Sequence, residues 1–93
     1  MLTVLLPGVL RGDAGGAARL RLELPDQATL RTALDVLGRA HPRLERRLRD
    51  EHGCLRRYVN LYVDGEECRV LAGLDTMLGR DTEVQIIPSV AGG

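Results

Sequence analysis

Hydrophobic and polar positions alternate with a period of two at three places along the chain, and repeat near every 3.6 residues at one. In "ARLRLELP", Leu20, Leu22 and Leu24 fall on one side and Arg19, Arg21 and Glu23 on the other. That is the pattern of a half-buried strand with one wet face. "YVNLYVDGEE" alternates in the same way, with Val59, Leu61 and Val63 inward, and carries a turn at Asp64-Gly65. "EVQIIP" is the last strand: Val84 and Ile86 point in, Gln85 and Ile87 point out, and Pro88 ends it because proline cannot donate to a ladder. The helical period falls in "DQATLRTALDVLGRAHP", where Leu30, Ala33, Leu34 and Leu37 form one stripe behind a Thr29 N-cap. Pro42 stops this helix or forces a break before a second short turn carrying Leu44 and Leu48.

The remaining segments are read from local chemistry. "LTVLLP" is an apolar first strand closed by Pro7. "GVLRGDAGG" holds four glycines in nine residues and reads as a loop or wide hairpin connection. "RDEHGCLRR" reads as polar loop, and "AGLDTMLGRDTE" as loop with one short helical turn. Two strands, one main helix and further strands on the same sheet make an α+β, β-grasp arrangement. We expect a mixed sheet of four to five strands, packed on the helix by one face and open on the other. The domain is expected to span residues 1–88, with residues 89–93 as a flexible C-terminal Gly-Gly tail.

Composition narrows the function classes. At 93 residues the chain makes one domain, burying somewhat over ~60% of its unfolded surface and leaving little space for a deep substrate cleft. Thirteen basic residues balance thirteen acidic ones, and Tyr58 and Tyr62 are the only aromatics. That argues against a nucleic-acid binder, which carries a basic excess and stacking platforms. All thirteen basic residues are arginine, which removes lysine Schiff-base chemistry. No 18-residue apolar run or signal-peptide pattern occurs, so the expected setting is the cytoplasm, away from membranes, with Cys54 and Cys68 as reduced thiols.

The internal candidates for chemistry are weak. His41 and His52 lie eleven residues apart and "HGC" offers only half of a zinc ligand set, so no metal site is expected. Arg56 and Arg57 near Cys54 favour a thiolate, but a nucleophile also needs an oriented base and a pocket. The glycines at 8, 12, 15 and 16 lack phosphate-loop spacing. The six arginines from Arg43 to Arg57 are interspersed with Glu45, Asp50 and Glu51, and read as a solvated face rather than a docking patch for an acidic partner.

The end of the chain is different. Gly92 and Gly93 have no Cβ and can pass through a channel too narrow for other residues. The five residues after Pro88 span roughly 17 Å when extended, enough to carry a carboxylate into another protein's active site. Two glycines at a given chain end arise by chance in only ~0.5% of proteins. Attack by this unhindered carboxylate on a nucleotide α-phosphate gives an acyl phosphate open to sulfur or nitrogen.

"RYVNLYVDGEE" with Asn60, the "LGRDTEVQIIPSVAGG" ending and the Thr29 helix start resemble the ThiS/MoaD group of β-grasp sulfur carrier proteins over essentially the whole chain. The length and "PSVAGG" are most similar to its cysteine-biosynthesis branch and to carriers serving secondary metabolites. Arg80-Asp81 replaces the group's usual glycine-aspartate before the last strand. The resemblance implies a carrier that is not an enzyme and binds no cofactor itself. An E1-like adenylating enzyme would use ATP and Mg²⁺ to adenylate Gly93, at the end of a tail containing Ala91 and Gly92. A sulfur donor would then leave a thiocarboxylate. In the cysteine branch a PLP-dependent synthase accepts the sulfur and a JAMM-type metalloprotease releases the product. The alternatives are a thiamin-thiazole carrier, the small subunit of molybdopterin synthase, a ubiquitin-like modifier, and an interaction domain with an inert tail. For docking, the alternation makes Ile87 an exposed apolar anchor beside the tail, with Tyr62 and Gln85 on the same outer face.

Overall fold

The computed structural model describes residues 1–88. Five strands form one mixed sheet: β1 (Leu2–Leu5), β2 (Arg19–Leu22), β3 (Val59–Val63), β4 (Glu66–Glu67) and β5 (Glu83–Pro88), in the spatial order β2-β1-β5-β3-β4. β5 occupies the centre. It runs parallel to β1, with Val4 opposite Val84, and antiparallel to β3, with Leu61 opposite Ile86. The first hairpin and the last strand therefore meet in the middle of the sheet, which is the β-grasp arrangement read from the sequence.

The helices lie on one face. In α2 (Leu30–Ala40) the Thr29 hydroxyl accepts from the Thr32 amide at 3.3 Å, and Leu30, Ala33, Leu34 and Leu37 are all buried. Pro42 ends α2 by opening α3 (Pro42–Leu48), where its missing N–H costs nothing, and Leu44 and Leu48 turn into the core. These leucines pack with Val4, Val59, Leu61, Val84 and Ile86 in one cluster. Removing one of the fully buried leucines, such as Leu61, would cost about 2–5 kcal/mol.

The segment 8–16 corrects the expectation of a loop. It contains α1 (Gly8–Arg11) and a 3-10 turn over Gly12–Ala14, and buries Leu10 and Ala14. Leu10 and Ala14 lie four apart and were a helical signal, masked by the surrounding glycines; Gly15 and Gly16, both at positive φ, then release the chain into β2. The "one main helix" is likewise joined by α3. The turn at Asp64-Gly65 stands as read: both residues have positive φ, the backbone of a type I′ hairpin. Asp64 also ties the turn to β5, its carboxylate accepting from the Glu83 amide at 2.9 Å and its amide donating to the Glu83 carbonyl at 2.8 Å. Before β5 the positive φ falls on Asp81 rather than Gly79, so Arg80-Asp81 supports the turn because aspartate tolerates the left-handed region.

One polar device joins the two helices. Arg49, 7% exposed, donates through Nε to Glu45 Oε1 at 2.7 Å and meets Asp35 Oδ1 at 2.9 Å. These carboxylates, Glu45 first, hold the guanidinium pKa above its ordinary value against the opposing effect of burial. Gly38 makes room for the arrangement: a Cβ there would come within 2.6 Å of Glu45 Oε2. Helix propensity alone would make Gly38→Ala stabilising by about 1 kcal/mol. We predict the opposite sign, a loss of about 1–3 kcal/mol in urea unfolding, because a displaced Glu45 leaves a buried cation short of a partner. A stabilised variant would show that Glu45 is free to swing aside.

Candidate functional site

The outer face of the sheet follows from strand parity and register. Across the five strands, Arg19 faces Leu5, Leu5 faces Gln85, Gln85 faces Tyr62, and Tyr62 faces Glu67. Ile87 lies two residues along β5 from Gln85, opposite Asn60 and 39% exposed. Tyr62, Gln85 and Ile87 are thus together on the open face, Gln85 exposed and Tyr62 half-buried. Gly93, Gly92 and Ala91 lie outside the described residues.

Beside the end of β5 is an open groove of about 520 Å³, with Leu5, Pro7, Arg11, Arg19, Gln85 and Ile87 among its lining residues. It exists because β1 stops at Leu5 and Pro7 turns the chain away while β5 runs on to Pro88. Its lining is mostly apolar and includes the two arginines Arg11 and Arg19. Arg11 donates Nε to the Leu6 carbonyl at 3.1 Å, which fixes its side chain against the groove. Sequence reading missed Leu5, although the inward Leu2 and Val4 place it outward by parity.

The other side of Ile87 is set by Arg69, also missed. Its guanidinium donates to Asn60 Oδ1 at 3.2 Å and to the Arg56 carbonyl at 3.1 Å, and pairs with Glu67 at 3.2 Å. The Arg69 amide donates to the same Glu67 carboxylate, and that backbone bond is the first cause holding the Glu67 pKa below its ordinary value. Nothing local in the sequence joins positions 56, 60 and 69; the β3–β4 hairpin does.

The internal candidates are dispersed. His41 lies at the junction of α2 and α3, whereas His52 is exposed beside Glu51. Asp50 accepts from the amides of Cys54 at 3.0 Å and His52 at 2.9 Å, and these bonds, Cys54 first, hold its pKa down. Among the described residues no three His, Cys, Asp or Glu side chains converge as a metal site, and no helix is long and apolar enough to cross a membrane. Both cysteines are free, Cys54 exposed and Cys68 buried, and burial raises the Cys68 thiol pKa.

Comparison with known proteins places this geometry in a lineage. The model described as "ThiS family" matches residues 4–93. The sulfur carrier protein CysO of Mycobacterium tuberculosis is 34% identical over 93 residues, covering 98% of this chain and 97% of the relative. Small archaeal modifier protein 1 of Haloferax volcanii is 32% identical over 81 residues, covering 87% and 88%. Among solved structures, a chain of the Amycolatopsis orientalis BexX/CysO complex superposes with a TM-score of 0.88 at 31% identity, over 100% of both chains.

The two thiols should separate chemically. In the folded protein iodoacetamide is expected to label Cys54 rapidly and Cys68 only through unfolding. Because the folded pKa of Cys68 is raised, its contribution to stability is whole below the ordinary thiol pKa and is lost as pH climbs towards the folded value. Equal labelling rates at neutral pH would contradict the burial of Cys68.

Proposed function

From the premise that this chain belongs to the ThiS family, we propose that it is a sulfur carrier whose C-terminal glycine, Gly93, carries the sulfur as a thiocarboxylate. The observation that carries this reading is the family match, which runs to Gly93 on a body whose central strand ends at Pro88. The full-length likeness to a protein named sulfur carrier CysO supports the cysteine branch as its setting.

The chemistry is carried out on the chain rather than by it. In the partner's active site a carboxylate oxygen of Gly93 attacks the α-phosphorus of ATP, and Mg²⁺-bound pyrophosphate leaves. Sulfide then attacks the acyl carbon: the C–S bond forms, the C–O bond to AMP breaks, and loss of a proton leaves the thiocarboxylate. Ala91 and Gly92 serve as the narrow lead into that site. The body contributes recognition. An E1-like activating enzyme docks on the outer sheet face, with Ile87 and Tyr62 as apolar anchors, Gln85 between them, and the groove beside Ile87 taking one of its side chains. A PLP-dependent synthase then accepts the sulfur, and a JAMM-type metalloprotease frees the product. The complex of BexX with CysO supports a relative working through a protein partner.

The likeness to small archaeal modifier protein 1 favours one second reading, in which the same activated end is passed to a protein amine. Intact-mass spectrometry after incubation with activating enzyme, ATP, Mg²⁺ and sulfide separates the two. A carrier gains the mass difference of sulfur for oxygen, and a truncation lacking Gly92 and Gly93 gains nothing. Species heavier by a whole protein would support the modifier, and an unchanged mass would refute both.

The docking surface is tested by Ile87→Asp. An interface anchor costs above about 1 kcal/mol, so kcat/KM for adenylation should fall about fivefold or more while the exposed position leaves folding intact. Unchanged kinetics would remove Ile87 from the interface.

A further inference from the structure

The helical layer carries a charged feature that the carrier chemistry leaves unused. α3 turns Leu44 and Leu48 into the core, so Arg43, Arg46 and Arg47, at spacings of three and four, share its exposed face. Like charges at those spacings repel one another and weaken a helix. The acidic groups nearby do little to relieve them. Glu45 and Asp35 are both engaged by Arg49. Asp50 is held by loop amides, and Glu51 lies 3.7 Å from His52. Asp13 alone enters the patch, pairing with Arg47 from a side chain only 13% exposed.

Arg43, Arg46 and Arg47 line a shallow depression with Asp13. Arg56 donates Nε to the Arg46 backbone carbonyl at 2.8 Å and lies within electrostatic reach of Asp50, outside the lining of the depression. Among the described residues Arg43 and Arg46 have no acidic partner. The sequence read this stretch as a solvated face; the structure leaves Arg43, Arg46 and Arg47 exposed while Glu45 turns to Arg49 and Asp50 to its own loop.

We infer that this depression is a second docking surface, built for an acidic protein segment: a short run of aspartate or glutamate carboxylates. Guanidinium forks take carboxylates in paired hydrogen bonds, and within the chain Arg47 already pairs with one carboxylate, that of Asp13, through its Nε. Arg43 to Arg47 spans about one helical turn, roughly 6 Å along the axis, which matches two or three consecutive carboxylate residues. A nucleic acid fits less well: no aromatic residue lines the depression for stacking, and the balanced total charge gives no long-range pull on a polyanion. The patch is on the helical layer, across the sheet from Tyr62 and Ile87. A protein held there leaves the outer face open, so two partners can hold the carrier at once. This inference stands independently of the sulfur chemistry.

The test is an NMR titration of the ¹⁵N-labelled full chain with a hexaglutamate peptide, following arginine Nε–Hε signals, and a parallel titration with a hexathymidylate oligonucleotide. Saturable shifts confined to Arg43, Arg46 and Arg47, weakening as salt rises, are expected. R43E/R46E should reduce the affinity about tenfold or more, and R43Q/R46Q should follow it without reversing charge. R21E/R80E, which reverses as much charge elsewhere, should leave binding intact. The proposal is overturned by shifts that are absent or scattered, by equal loss in the R21E/R80E control, or by tighter binding of the oligonucleotide.

Discussion

The central position of β5 is the constraint on which the rest of the molecule depends. A strand paired on both edges satisfies its backbone groups on both sides, and its period of two then assigns every side chain to a face. Val84 and Ile86 enter the leucine-rich core, and Gln85 and Ile87 are left outside. A slip of one residue would exchange the two sets, exposing the core pair and burying Gln85. The parallel partner β1 and the antiparallel partner β3 are over fifty residues apart in sequence, so β5 also closes the fold. Asp64 reinforces the register by binding both backbone groups of Glu83.

The division of labour between the layers follows from that strand. The inner face is covered by α2 and α3, which are locked to each other by Arg49 between Asp35 and Glu45. With the guanidinium buried and its carboxylates partly exposed, the group penalises any packing that leaves Arg49 without them. Among the described residues no fully buried side-chain nitrogen or oxygen lacks a hydrogen-bond partner. The polar groups of the body are therefore satisfied, and the outer sheet face stays uncovered by the helices.

Much of this was legible along the chain because the signals are local. The stripe of Leu30, Ala33, Leu34 and Leu37, the Thr29 cap, the Asp64-Gly65 turn and the alternation in β3 and β5 each depend on residues a few positions apart. Parity on β3 and β5 was enough to bring Tyr62, Gln85 and Ile87 to one face. What stayed hidden depends on long-range geometry. The groove exists because β1 ends before β5 does, and Arg69 reaches Asn60 only after the β3–β4 hairpin has formed. The arginines of α3 read in sequence as a solvated face with Glu45 and Asp50 among them; only the fold shows Glu45 turned to Arg49 and Asp50 into its own loop. Gly92 and Gly93 lie outside the described residues.

Native-state hydrogen exchange tests the central strand most directly. The amides of Val84, Gln85 and Ile86 should open only with global unfolding, at a free energy equal to that from denaturant melts, while the two-residue edge strand β4 opens at far lower cost. Exchange of those β5 amides through a cheaper local opening would contradict the account, because the central strand would then not be what closes the fold.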